Sequence, residues 1–129
     1  MIETMGVMLR FGGVATSRDI LEAAFGRPVT WANNRRGGVQ HAQIDLSPDG
    51  DHIDWQVLTL AFEELGQSVS TLVKNGSIAS AELDIGLPFY DTNMASSVTL
   101  PSQLCAAAGQ HHIAVTVTYY LTDADDQPT

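Results

Sequence analysis

Cysteine and basic residues are both scarce in this chain, and each shortage excludes a class of protein. The 129 residues include a single cysteine, Cys105, so no disulfide can form within the chain. This favours a reducing compartment, and we expect a cytoplasmic protein. Six Lys and Arg residues stand against 15 Asp and Glu residues, a formal net charge of -9. Because such a charge repels phosphate and anionic lipid, we expect no nucleic-acid or membrane partner and instead a basic protein partner.

Long hydrophobic runs are also missing. No apolar stretch approaches the roughly 18 residues that a membrane-spanning helix requires, and residues 1–11 lack the pattern of a secretory signal. A hydrophobic content of 44% is typical of a globular protein, and the length fits one domain. No basic residue follows Lys74. We therefore predict a single domain over residues 1–121 and an acidic flexible tail over residues 122–129.

The sequence contains no recognisable catalytic motif. Cys105 lies between Leu104 and Ala106, which favours a buried small hydrophobe over a nucleophile. The Gly12-Gly13 pair follows a predicted strand but lacks the lysine and the spacing of a phosphate-binding loop. The adjacent residues Arg35 and Arg36 supply too little positive charge to indicate nucleic-acid binding in so acidic a chain. We accordingly predict no enzyme activity and no cofactor.

Two groups of potential metal ligands fail on spacing. Acids and one histidine crowd together at Asp45, Asp49, Asp51, His52 and Asp54. A calcium loop requires acids at alternating positions and glycine at the sixth, whereas Gly50 follows Asp49 directly. His111 and His112 are adjacent, and on a strand they would point to opposite faces. We predict no metal site.

Hydrophobic periodicity predicts an α+β fold. Period-two alternation predicts strands near residues 4–11, 42–46, 81–89 and 113–121, with a weak strand near 29–31. Apolar residues spaced three and four apart predict a long helix, which Asp51 or Asp54 would cap. These residues are Trp55, Leu58, Phe62, Leu65, Val69 and Leu72. Two short helices are predicted, one ending at Gly26 and one starting at Pro101 and ending at Gly109.

One-sided strands favour a single, mainly antiparallel sheet with the long helix and the two short helices on one face. The opposite face would then be polar and open to a partner. It would carry Arg10, Gln43, Asp45, Glu82, Asp84, Thr116, Thr118 and Tyr120. Solvation alone is an alternative explanation of the same pattern.

The order of these elements resembles an uncharacterised, largely bacterial family, domain of unknown function 4279. The matching parts are residues 6–11, 17–26 with Pro28, Trp31, 55–73, 81–89, 100–104 and 113–119. They cover nearly the whole chain. The resemblance implies the same fold, but it implies no activity because the family's function is not established.

Our leading functional hypothesis is a non-enzymatic inhibitor of the immunity type, which neutralises a basic bacterial toxin such as a nuclease. The residues predicted to bind the partner are Asp45, Asp49, Asp51, Glu82, Asp84, Thr118 and Tyr120. The alternative is a structural or regulatory domain that self-associates, as a homodimer, through the long helix or through the regular strand at residues 113–121. A third hypothesis is an enzyme or a small-ligand sensor with a polar pocket around Trp31 and His41.

Overall fold

Seven strands and three helices make up the part of the chain that the computed structural model describes, which is residues 2–33, 40–46, 52–92 and 95–122. In chain order they are β1 (Ile2–Glu3), β2 (Gly6–Gly12), α1 (Arg18–Phe25), β3 (Thr30–Asn33), β4 (Gln40–Asp45), β5 (His52–Ile53), α2 (Trp55–Lys74), β6 (Ser80–Tyr90), α3 (Ser102–Gln110) and β7 (Ala114–Thr122). Strand β7 includes Thr122, one residue beyond the predicted end of the domain. The rest of the predicted tail, and the predicted site residues Asp49 and Asp51, lie outside the described residues.

The main sheet has five strands in the order β3-β4-β2-β6-β7. Three of its pairings are antiparallel and the fourth, between β6 and β7, is parallel. The predicted α+β fold with a mainly antiparallel sheet is therefore confirmed. The parallel pairing exists because α3 carries the chain back across the sheet before β7 begins. A separate ladder joins β1 to β5, and each of these strands is too short to show alternation in the sequence.

The hydrophobic core lies between the helices and one face of the sheet. Strand β2 contributes Val7, Leu9 and Phe11, all almost fully buried. Helix α2 contributes the predicted stripe, of which Leu58, Phe62, Leu65, Val69 and Leu72 are buried while Trp55 is only half-buried. The ring of Phe25 in α1 stacks on that of Phe11 with centroids 4.9 Å apart. Burial of one such side chain contributes about 1.5–3 kcal/mol, so the core positions decide which face the helices cover.

Capping residues define the ends of α1 and α2, including the two ends that the sequence predicts, at Gly26 and at Asp54. The Ser17 side chain accepts a hydrogen bond from the Ile20 N–H, and Gly26 ends α1 in the left-handed conformation at φ 65°. Asp54 accepts from the first-turn N–H groups of α2 at 3.0 and 3.3 Å. Gly76, at φ 79°, completes a Schellman motif at the other end.

The end of α3 differs from the prediction. The helix continues through Gly109 to Gln110, and His112 takes the left-handed position at φ 56°. Its N–H bonds to the Gly109 carbonyl and the Ile113 N–H bonds to the Ala108 carbonyl, which is a Schellman motif with histidine in the place of glycine. His111 and His112 therefore lie in a turn directly before β7, so the argument that a strand would point them to opposite faces does not apply to them.

Cys105 is exposed, so its predicted burial was also wrong. The buried side of α3 is formed by Leu104, Ala107 and Ala108. A residue directly after Leu104 is turned about 100° around the helix, which places the thiol on the solvent side. None of the helices in the described residues is long and apolar enough to cross a membrane.

Helices α2 and α3 meet at a glycine. Gly66 lies in the middle of α2 and is buried under the ring of His111, which follows α3 directly. The Nδ1 atom of His111 is 2.8 Å from the Ser70 hydroxyl, one helical turn further along α2. The lack of a side chain at Gly66 is what lets the ring lie against the helix.

Candidate partner-binding face of the sheet

The sheet face opposite the helices, called the open face below, carries the predicted site residues that the structure describes. Register places them in two rows across the strands. One row runs Gln43, Arg10, Glu82, and the next runs Asp45, Met8, Asp84, Thr116. Thr118 and Tyr120 follow on β7, opposite Gly86 and Pro88. The predicted sharing of one face is therefore observed for Asp45, Glu82, Asp84, Thr118 and Tyr120.

Asp84 plays a structural part on this face. Its side chain is only 9% exposed, and its Oδ2 atom lies 2.6 Å from Nη1 of Arg10 on the neighbouring strand. The Thr118 hydroxyl donates to Oδ1 at 3.0 Å. One carboxylate thus connects β2, β6 and β7. The prediction that Asp84 offers its charge to a partner does not fit this geometry, because both of its oxygens are engaged within the fold.

Asp45 and Glu82 carry the accessible negative charge of the open face. Asp45 is exposed and Glu82 is half-buried. Among the described residues of this face, three carboxylates accompany the single guanidinium of Arg10, and one of the three is its close partner Asp84. The other two carboxylates, those of Asp45 and Glu82, lie on β4 and β6 with β2 between them.

An apolar end adjoins these charges. Met5, Met8 and Tyr120, together with the Arg10–Asp84 ion pair, line a small depression of about 100 Å³ at Gly86. A Cβ atom at Gly86 would lie 3.0 Å from the Tyr120 ring, so the glycine allows the ring to lie close to the sheet. Tyr120 is 45% exposed and Met5 is 53% exposed. Of Met5, Met8 and Tyr120, only Tyr120 was predicted for the open face, and Met5 lies within the predicted strand at residues 4–11 but precedes the observed start of β2 at Gly6.

The polar end of the open face forms a shallow groove of about 270 Å³. Its lining includes Arg10, His41, Gln43, Ser80 and Glu82. A groove of this shape offers hydrogen-bond acceptors from Gln43 and Glu82 to an inserted basic side chain.

The structure does not bring Trp31 and His41 together. Trp31 pairs with Ala42 of β4 and packs against the core. His41 is adjacent to Ala42 in the same strand, so its side chain points to the opposite face of the sheet. Within the described residues, the side chains of Trp31 and His41 therefore line no common pocket, and His41 belongs to the groove on the open face.

Among the described residues, no group of three His, Cys, Asp or Glu side chains is arranged so that it could hold a metal ion. Another groove, of about 610 Å³, lies between α2 and α3. Glutamines dominate its polar lining, and His111 at its edge is hydrogen-bonded to Ser70.

Comparisons with protein-family models, with curated proteins and with solved structures found no match to this chain. The resemblance to the family described above therefore stays a prediction from element order.

Proposed function

We propose that this chain is a non-enzymatic protein-binding domain whose open face receives a basic partner. The observation that carries the proposal is the composition of this face. Asp45 and Glu82 supply carboxylates that solvent can reach, and Met8 and Tyr120 supply an apolar contact beside them. Aromatic and methionine side chains are enriched where proteins bind each other, and charge of one sign accelerates encounter with the opposite sign.

The partner's chemistry follows from the two ends of the face. A lysine or arginine of the partner enters the groove beside Gln43 and Glu82, while an apolar side chain covers the depression at Tyr120. Arg10 is held by Asp84 and fixes the boundary between the two ends. This arrangement selects a surface with a basic patch next to an apolar residue, and bare phosphate or polyanions are repelled.

The finer proposal is that the chain is an immunity-type inhibitor, acting in the cytoplasm without a cofactor. It is supported by the net charge of -9, which matches a basic toxin such as a nuclease. It is also supported by the rigid position of the site on three paired strands, because inhibitors gain affinity from surfaces already in their binding conformation.

The test compares two variants with the same charge change. Asp45→Lys/Glu82→Lys reverses the open face, and Glu63→Lys/Glu64→Lys reverses two exposed acids of α2. Each protein is immobilised and exposed to a lysate of the producing organism at low and at high salt, and retained proteins are identified by mass spectrometry.

We expect one basic protein to bind the unmodified chain and the α2 variant, and to be lost from the open-face variant and at high salt. Circular dichroism checks that both variants fold. Equal retention of the same protein by both variants would exclude the open face as its binding site.

A further inference from the structure

Strand β7 forms one edge of the sheet. It pairs with β6 on one side, and no described strand pairs with its other side. Edge strands of this length are normally protected by charge, proline or a bulge. The nine residues of β7 contain neither a charged residue nor a proline. The edge is therefore suited to main-chain pairing.

The backbone directions identify which groups β7 offers. The Thr122 carbonyl accepts from the Asp91 N–H, so the N–H and C=O of Thr122 point towards β6. Because these groups alternate along a strand, the even-numbered residues face β6 and the odd-numbered ones face outwards. The outward donors and acceptors belong to Val115, Val117, Tyr119 and Leu121.

We propose that β7 pairs with β7 of a second copy of this chain, antiparallel and about a two-fold axis at Thr118. The two five-stranded sheets then form one continuous sheet. This inference concerns the edge of the sheet and goes beyond the proposed docking of a basic partner on its open face.

A second copy of the chain fits this edge because β7 is complementary to itself when the two strands pair about Thr118. The outward-facing residues form hydrogen-bonded pairs of Val117 with Tyr119 and of Val115 with Leu121 of the other copy. On the open face, Thr116 meets Tyr120 and Thr118 meets its own equivalent. Pairs of β-branched and aromatic residues, and of threonines, are favourable across antiparallel strands.

The exposure of apolar side chains on β7 also supports pairing with a second copy of the chain. Leu121 is 78% exposed and Tyr119 is 41% exposed. The pairing covers both with Val115 and Val117 of the second copy. A basic partner has no acidic group to bind on this strand, whereas an uncharged strand can approach its own copy without like charges in direct contact.

Each copy carries a net charge of -9, so the remaining surfaces repel each other. One strand pair is also smaller than the roughly 1,200 Å² of a stable interface. We expect a dissociation constant on the order of 100 µM, which falls as salt screens the repulsion. This salt dependence is opposite to that of the basic partner, so the two proposals fail independently.

The first test is sedimentation velocity on the full chain from about 10 µM to about 1 mM, a range that brackets the expected dissociation constant. Leu121→Lys places a charge at the paired edge, and Leu60→Lys makes the same change at an exposed position of α2. We expect the first variant to weaken dimerisation at least about tenfold and the second to leave it unchanged.

The second test fixes the register in a Cys105→Ser background. The Cα atoms of Thr118 and its equivalent form a pair about 4.5 Å apart, so Thr118→Cys is expected to give a disulfide-linked dimer on mild oxidation. The two copies of residue 121 are separated by six residues along the strand, about 20 Å, so Leu121→Cys is the control that stays monomeric. Leu121 is the more exposed position, and random collision would therefore favour the control.

A concentration-dependent dimer that Leu121→Lys weakens, with cross-linking at 118 and not at 121, supports the proposal. A monomer at every concentration overturns the proposal. It is also overturned if the chain stays monomeric and Leu121→Lys releases a different protein that binds at this edge. A dimer that neither Leu121→Lys nor the cross-linking pattern affects also overturns it.

Discussion

Replacing Gly66 by alanine tests how α2 and α3 are held together. In an exposed helix this substitution stabilises by about 1 kcal/mol, because alanine has the higher helix propensity. Here a Cβ atom at Gly66 would lie 2.8 Å from Cγ and Nε2 of the His111 ring. The ring has to move away, and it then loses its hydrogen bond to Ser70.

The opposing contributions decide the sign of the effect. Loss of the hydrogen bond costs about 1 kcal/mol and overpacking costs about 1–3 kcal/mol. The gain in helix propensity offsets about 1 kcal/mol of this loss, so we expect Gly66→Ala to lower the free energy of unfolding by about 1–3 kcal/mol. In a His111→Ala background the obstacle is absent, and Gly66→Ala is expected to stabilise by about 1 kcal/mol.

The assay is urea denaturation of the four proteins of this cycle, followed by circular dichroism. Gly109→Ala is the matched control, since a Cβ at that helical position meets no atom within 4 Å, and we expect it to stabilise the protein. Equal stabilisation by Gly66→Ala with and without the His111 ring would refute the proposed packing.

Three further predictions concern stability, each measured by urea denaturation. Asp84→Ala is expected to lower the free energy of unfolding by about 1–3 kcal/mol because it leaves Arg10 and Thr118 without their acceptor. The control is Glu82→Ala, which is expected to change this free energy by no more than about 0.5 kcal/mol. Equal effects of the two substitutions would contradict the structural role of Asp84. His112→Gly removes a left-handed histidine and is expected to stabilise by about 0.5–1 kcal/mol, whereas a loss would contradict the turn geometry. Asp54→Ala removes the N-cap of α2 and is expected to cost about 1 kcal/mol; an unchanged midpoint would disprove the cap.

Local patterns in the sequence predicted the elements and their faces. The three-four spacing from Trp55 to Leu72 and the cap at Asp54 predicted α2, and the structure confirms both. Alternation also placed Asp45, Glu82 and Asp84 on the face away from the helices. Such patterns succeed because side-chain direction depends only on the local backbone period.

Other features depend on contacts between residues far apart in the chain. Alternation shows that Asp84 and Arg10 share a face, but only strand order and register bring them to 2.6 Å. Similarly, Gly66 and His111 are 45 positions apart, and nothing in either neighbourhood marks their packing.

The sequence by itself therefore determined the fold class, the core faces and the acidic character of the chain. Tertiary structure decided that Asp84 is enclosed while Asp45 stays exposed, that β6 and β7 are parallel, and that β7 forms an edge. The physical reason is that hydrophobic periodicity records burial at each position. Strand order, by contrast, depends on which long-range pairings bury the most apolar surface together.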